Sequence, residues 1–315
     1  MPYDENSFLK ENNKILSILL IDRTTNKNLK WCSDNYELKG LFFNDYITTD
    51  NIMGKNSFII KARSQKSKKE QQKRSKDAAE VFTPSWICNR QNNLIDDAWF
   101  QYPNAFNIET ENEWNITSKV SFKNEKTWED YIKDTRLEIT CGEAPYLVSR
   151  YDTVTGQAIE IKNRIGLLDR KLRVVNENAT SDEEWYSSVV ISYQNIYGYD
   201  FQGDNVFLAR KNLFFTFIDY FFERFNEMPS KEKMIEIATI ISWNIWQMDG
   251  LKMVIPNSCL VNKKTQPDLF GEDFAFGGEC PGCQKGDIRL HNGTYCLVMD
   301  WEKNKKIKFV DLIRR

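Results

Sequence analysis

The sequence predicts a layered α/β fold: a mostly parallel, Rossmann-like sheet with helices on both faces, plus a small C-terminal zinc module. Three observations carry this. Helix-period apolar stripes alternate with short buried runs, those runs end in acids, and a Cys-x-x-Cys pair lies near the only histidine. With 315 residues and 41% hydrophobic content the chain can fill such a core. Aromatics at 13% and a formal charge of −2 exclude a disordered polyelectrolyte, so any nucleic-acid surface must come from local segregation of charge.

The start of the chain lacks a basic region leading into an apolar stretch, and the richest apolar run, NLFFTFIDYFFERF, is interrupted by Asp219 and Glu223. No export signal or membrane span is predicted, and a cytoplasmic location is expected. The composition divides the chain into an N-terminal extension with a basic segment (1–78), a sheet-bearing domain (79–255) and a zinc-binding module (256–315). From Lys61 to Lys76 the run KARSQKSKKEQQKRSK sets eight basic residues against the single acid Glu70. It is either a phosphate-binding segment or a solvated helix.

After it, Thr83-Pro84 can begin a helix, because proline is tolerated where the first N–H groups lack partners. Ser181 and Glu184 have the spacing of a capping box and open a helix reaching Ile196. IYGYD then reads as a strand. Val206, Leu213, Phe214, Phe217, Ile218, Phe221, Phe222 and Phe225 recur at helical spacing and predict a long helix with one broad apolar face. A helix over Lys231–Trp243 and a strand in NIWQMD follow. Asp200 and Asp249 end these two strands, where open parallel sheets bind their ligands. Earlier, Glu138 and Gly142 stand at a strand-to-loop transition that lets backbone approach a ligand closely.

In this order, AEVFTP (Ala79–Pro84), EITCGEAPYL (Glu138–Leu147), YGYDF (Tyr197–Phe201), DNVFLARKNLF (Asp204–Phe214) and NIWQMDGL (Asn244–Leu251) resemble the motifs of a known family. That family is the adenine-specific, S-adenosylmethionine-dependent DNA methyltransferases of restriction-modification systems. The resemblance implies a chain that binds S-adenosylmethionine and DNA. It implies Phe82, Thr83 and Pro84 near the methionine end of the cofactor, with Glu138 and Gly142 in the same pocket. Asp200 would accept the ribose hydroxyls, and Asp249 would lie near the adenine ring.

Two departures accompany the resemblance. Ala144 stands at the second glycine of the family motif, with Glu143 and Pro145 beside it, where an acid would repel a cofactor carboxylate. The family's Asn/Asp-Pro-Pro-aromatic catalytic loop occurs nowhere in the chain, and Met299-Asp300-Trp301 is the nearest substitute. The alternative to an active enzyme is therefore a catalytically silent modification subunit that needs a partner chain for that loop.

Cys280, Cys283, His291 and Cys296 have a spacing that can close a tetrahedron around structural zinc. A competing nuclease reading rests on Asp152, Glu160 and Lys162, which could hold magnesium. RIGLLDRKLRVV, with Arg164, Arg170, Lys171 and Arg173, is either a phosphate contact or an amphipathic helix with a basic face.

Overall fold

The computed structural model describes residues 4–78, 80–81, 83–123, 125–259, 262–267 and 273–313. Helices α1 (Glu5–Glu11), α2 (Asn13–Leu20), α3 (Thr49–Ile52), α4 (Lys68–Ala78) and α5 (Ser85–Phe100) come first, and a hairpin of β1 (Asn107–Glu109) and β2 (Trp114–Ile116) follows. The central part runs α6 (Trp128–Lys133), β3 (Arg136–Glu138), α7 (Leu167–Asn178), α8 (Asp182–Gln194), β4 (Ile196–Asp200), α9 (Gly203–Phe225), α10 (Lys231–Asn244) and β5 (Ile245–Gln247). The C-terminal part holds β6 (Asn262–Pro267), β7 (Asp273–Gly278), α11 (Pro281–Lys285), β8 (Leu297–Asp300) and β9 (Lys305–Lys308).

The parallel sheet is small, three strands in the order β3-β4-β5, with Leu137 opposite Tyr197 and Tyr199 opposite Trp246. Both crossovers step in the same direction, so right-handed connections put their helices on one face. That face, with Ile196 and Ile245, joins the main core together with α7 to α10. The other face was expected to carry helices too. Instead Tyr199 and Trp246 form a second cluster with Val298, Ile307 and Phe309 of the C-terminal segment, so the β8–β9 hairpin and its flank cover it. With no strand stepping the other way, no crossover helix reaches that side.

The local signals act much as their chemistry predicts. The Ser181 hydroxyl accepts from the Glu184 N–H and caps α8, while the Glu184 carboxylate turns back to the N–H and hydroxyl of Thr180. Pro84 caps α5. Helix α9 differs from the expected one-faced helix: it lies inside the core and is buried nearly all round. Its Arg210 is fully buried because its guanidinium donates to the carbonyls of Leu19, Ile21, Ser242 and Ile245 at 2.7–2.9 Å. One side chain thus ties α2, α10 and β5 to α9.

The N-terminal region does not stand apart. Leu9, Leu16, Leu19, Leu29, Trp31 and Ile47 belong to the same core as α9 and α10. The Gln247 side chain stitches residue 30 to the sheet, accepting from the Lys30 N–H and donating to the carbonyls of Lys30 and Phe201. Among the described residues, no helix is long and apolar enough to cross a membrane.

The first residue of α9 must be glycine, since a Cβ on Gly203 would lie 1.9 Å from the Lys30 carbonyl oxygen. Glycine-to-alanine in a helix normally gains about 0.5–1 kcal/mol. Here Gly203→Ala is expected to lose about 1–3 kcal/mol through overpacking, read as a lower midpoint in urea unfolding.

Candidate functional site

A cavity of about 810 Å³ opens beyond the carboxyl ends of β3 and β4. Thr83, Glu138, Gly142 and Asp200 all line it. The N-terminal region adds Cys32 to Asn35 and Phe43, and α4 adds Lys73 and Lys76. Phe43 and Phe201 approach to 6.1 Å between ring centroids on its wall.

The loop after β3 shapes the floor. Thr140, Gly142 and Ala144 all have positive φ (47°, 53° and 63°), a conformation that costs a non-glycine residue about 1–2 kcal/mol. The surroundings hold it there. The Gly142 N–H donates to Asp200 at 2.9 Å, the Cys141 N–H to the Tyr199 carbonyl, and the Leu147 N–H to the Ala144 carbonyl. Ala144 therefore keeps the backbone that a glycine would adopt more easily. Its neighbour Glu143 does not face the cavity. Its oxygens accept from the Arg63 N–H and the Tyr151 hydroxyl, both at 2.6 Å, so the expected repulsion of a cofactor carboxylate has no source there.

Besides the exposed Asp34 and Asp77, and Glu80 committed to Arg74, two desolvated carboxyls line the cavity. Burial pushes Asp200 up to about 6, against N–H donors from Gln202 and Gly142 that favour its charge. Burial also raises Glu138 well above the usual carboxylate range, against the donors of Tyr146 and Leu147. Glu138 Oε2 is buried without a hydrogen-bond partner among the described residues. A desolvated acceptor of this kind favours a cationic or hydroxyl donor.

Behind this wall the basic segment is half structural. Arg74 is 2% exposed and donates to Glu80 (2.5 Å), Asp204 (2.7 Å), Gln202 (2.5 Å) and Asn205 (3.2 Å), and Lys66 pairs with Glu80 at 3.6 Å. Arg164, Arg170 and Lys171 are likewise spent inside, on Asp219, on Asp96 with Asn89 and Asn93, and on backbone carbonyls. Arg173 pairs with Glu177. The phosphate reading of RIGLLDRKLRVV therefore fails.

Other expected residues fall outside the cavity. The chain turns after β5, and Asp249 caps that turn, accepting from the Leu251 N–H and pairing with Lys252, so it does not line the cavity. Pro84 stands at the N-cap position of α5 and does not line the cavity, and Phe82 lies outside the described residues. Asp152 is consumed by the N–H groups of Ser85, Val154 and Thr155, while Glu160 pairs with Lys162 at the surface. Neither joins a metal-binding group among the described residues. Asp300 binds Lys303, and Trp301 donates to Asn244; both border a separate groove on the opposite sheet face.

A Cys3His donor cluster forms near the C-terminus, but it differs from the expected set in one member. Cys259, Cys280, Cys283 and His291 place their donor atoms within 4.8 Å of one another. The three sulfurs lie 3.6, 3.5 and 3.7 Å from His291 Nδ1. Bonds of about 2.3 Å to sulfur and 2.0–2.1 Å to nitrogen at tetrahedral angles require about 3.6 Å. The donor set can therefore hold a metal ion such as zinc.

Cys296 is not part of it. Its backbone pairs with Met253 and Phe309, which turns its thiol into the second core, against the Gln247 carbonyl. Cys259 takes the place because Asn262 pairs with Gly278, returning the chain from Cys259 to Cys280. The sequence signal for it was a cysteine at each foot of a hairpin. Gly282 is required at the knuckle, where a Cβ would lie 2.6 Å from His291 Nδ1. Backbone donors, led by Asn292, and His291 outweigh burial and bring the Cys280 thiol down to about 6, which favours the metal-binding thiolate.

No family model, curated protein or solved structure matches the chain.

Elemental analysis is expected to find about one zinc per chain. Cys259→Ser should release it, whereas Cys296→Ser should retain it; the reverse result would restore the sequence-based ligand set.

Proposed function

We propose that the chain binds S-adenosylmethionine in the cavity beyond β3 and β4 and acts as a restriction-modification-type DNA adenine (N6) methyltransferase-like protein. The observation that carries this reading is the convergence of Thr83, Glu138, Gly142 and Asp200 on one cavity, with a Glu138 oxygen left unpartnered in its wall. The acids Glu138 and Asp200 suit a cofactor with ammonium and ribose hydroxyl donors. The order β3-β4-β5 also corresponds to one half of a doubly wound nucleotide-binding sheet.

In this reading Glu138 accepts from the ammonium and Asp200 from the ribose hydroxyls. Phe43 and Phe201 bound the ring end, and the 139–144 loop supplies the close backbone approach. When bound, the cofactor supplies a methyl group on a sulfonium. The chain's share is to orient it and exclude water, and transfer needs no covalent protein intermediate.

A second reading, the silent subunit, is favoured by the sheet edge. The Arg136 N–H donates to the Asn195 carbonyl on the β4 side, so strand alternation turns the backbone groups of Leu137 outward, where no described strand pairs. Leu137 and Ile139 are exposed beside that edge. A partner chain adding a strand there would bring its following loop to the cavity mouth.

Incubation with methyl-labelled S-adenosylmethionine and mixed-sequence DNA separates the readings. Label in adenine supports the enzyme, retention without transfer supports the subunit, and neither retention nor transfer overturns both.

The pH dependence has a definite sign. Because Asp200 is raised from 3.8 to about 6, its contribution to folding stability is greatest below the lower value and is lost as pH rises through 6. Ligand binding runs the opposite way, since the hydroxyls donate to the ionised form. Cofactor affinity by calorimetry is expected to be full at pH 7.5 and to fall as pH drops through about 6. Asp200→Ala should weaken it roughly tenfold or more, the scale of hydrogen bonds to a charged group.

A further inference from the structure

Helix α4 has two unlike sides. Arg74 is buried in its ion network and holds the helix in place, while Lys68, Lys69, Lys73 and Lys76 are exposed. A shallow groove of about 590 Å³ runs along this helix, lined by Arg63, Lys68, Gln71, Gln72, Ser75 and Lys76, with no carboxylate among them. Of the two acids of α4, Glu70 is occupied by the N–H and hydroxyl of Ser67, and Asp77 lies on the cavity side, outside the groove lining. Lys76 lines both this groove and the cavity beyond β3, and Lys73 lines the cavity as well.

We infer that this groove is the track of a DNA backbone, along which a strand is led to the cavity mouth. The inference rests on the DNA reading above and names the surface that reading lacks. From Lys68 to Lys76 the helix rises about 12 Å, long enough to face successive phosphates of one strand. The lining offers Lys68 and Lys76 to phosphate oxygens and the exposed Gln72 amide as a further donor, while Gln71 and Ser75 donate to the carbonyls of Arg63, Lys66 and Glu80 and brace the groove wall; this is the chemistry of a backbone contact rather than of base reading. A nucleic acid is favoured over an anionic membrane, because α4 (KKEQQKRSKDA) carries no large apolar residue to insert among acyl chains. Anchoring by Arg74 fixes the helix that carries the lysines before binding, so less backbone ordering is paid on contact.

The test uses the full chain, without cofactor, and fluorescein-labelled DNA of mixed sequence, with anisotropy followed from 50 to 200 mM salt. The variant carries Lys68→Gln, Lys69→Gln, Lys73→Gln and Lys76→Gln, and glutamine preserves helix propensity. A control replaces the exposed Lys285, Lys303, Lys305 and Lys306 in the same way. The expected result is a loss of roughly a hundredfold or more at 100 mM salt and a log-log salt slope shallower by about three, with the control near wild type. Equal losses in both variants, an unchanged slope, or no DNA binding by the wild type would overturn the inference. So would lysine-dependent binding to phosphatidylserine vesicles stronger than to DNA. Because no cofactor is present, this result is independent of whether Asp200→Ala affects cofactor binding, and either idea can fail alone.

Discussion

The site depends on one buried ion network, centred on Arg74 and Asp204. A guanidinium taken out of water must have its charge and its donors satisfied together, and removing a partner leaves a charge that the interior tolerates poorly. Arg74 meets that demand with residues drawn from separate stretches of chain: Glu80 just after its own helix, and Gln202, Asp204 and Asn205 at the start of α9. Tyr36 closes the network by donating to Asp204 at 2.6 Å, which brings in the N-terminal region. These are the segments that wall the cavity. Asp200 and Asp204, one helical turn apart in sequence, illustrate the outcome. Burial would raise both, but Arg74 and Lys66 bring Asp204 below the usual carboxylate range, whereas Asp200 has no such cation and is raised. One acid is committed to structure, and the other keeps its capacity for a ligand.

The loop after β3 stores strain. Three residues in left-handed conformation within five positions are costly, and two of them carry side chains. They persist because Asp200 and the Tyr199 carbonyl accept the N–H groups of Gly142 and Cys141. The strain and the unpartnered Glu138 oxygen lie on the same wall, so rigidity is concentrated where a ligand would be read. The loop also keeps Glu143 out of the cavity, by giving its carboxylate the Arg63 N–H and the Tyr151 hydroxyl.

The C-terminal part answers a different requirement. A parallel sheet needs both faces covered, and sequential right-handed crossovers supply helices to only one. Val298, Ile307 and Phe309 cover the other by packing on Tyr197, Tyr199 and Trp246. The metal-ligand cluster lies at the foot of the β6–β7 hairpin, close in sequence to the Val254–Tyr295 bridge that joins this segment to the turn after β5. A bound ion would therefore support the cover of the sheet, as a structural site with four protein ligands does.

What the sequence by itself determined is what neighbouring residues decide: the Ser181 cap, the span of α9, the strand ending at Asp200, the presence of a strand within NIWQMD, and the Cys-Pro-Gly-Cys knuckle. Such features depend on contacts within a turn or two of chain, so their spacing can be read directly. Tertiary structure decided the rest. It selected Cys259 over Cys296 through strand register, turned Asp249 into its own loop, and divided the lysines and arginines of 61–76 between a buried network and an exposed groove. A charge run looks the same in sequence whether its members face water or a carboxylate 130 residues away, as Arg74 does. Burial is settled by partners distant along the chain, and no local pattern records them.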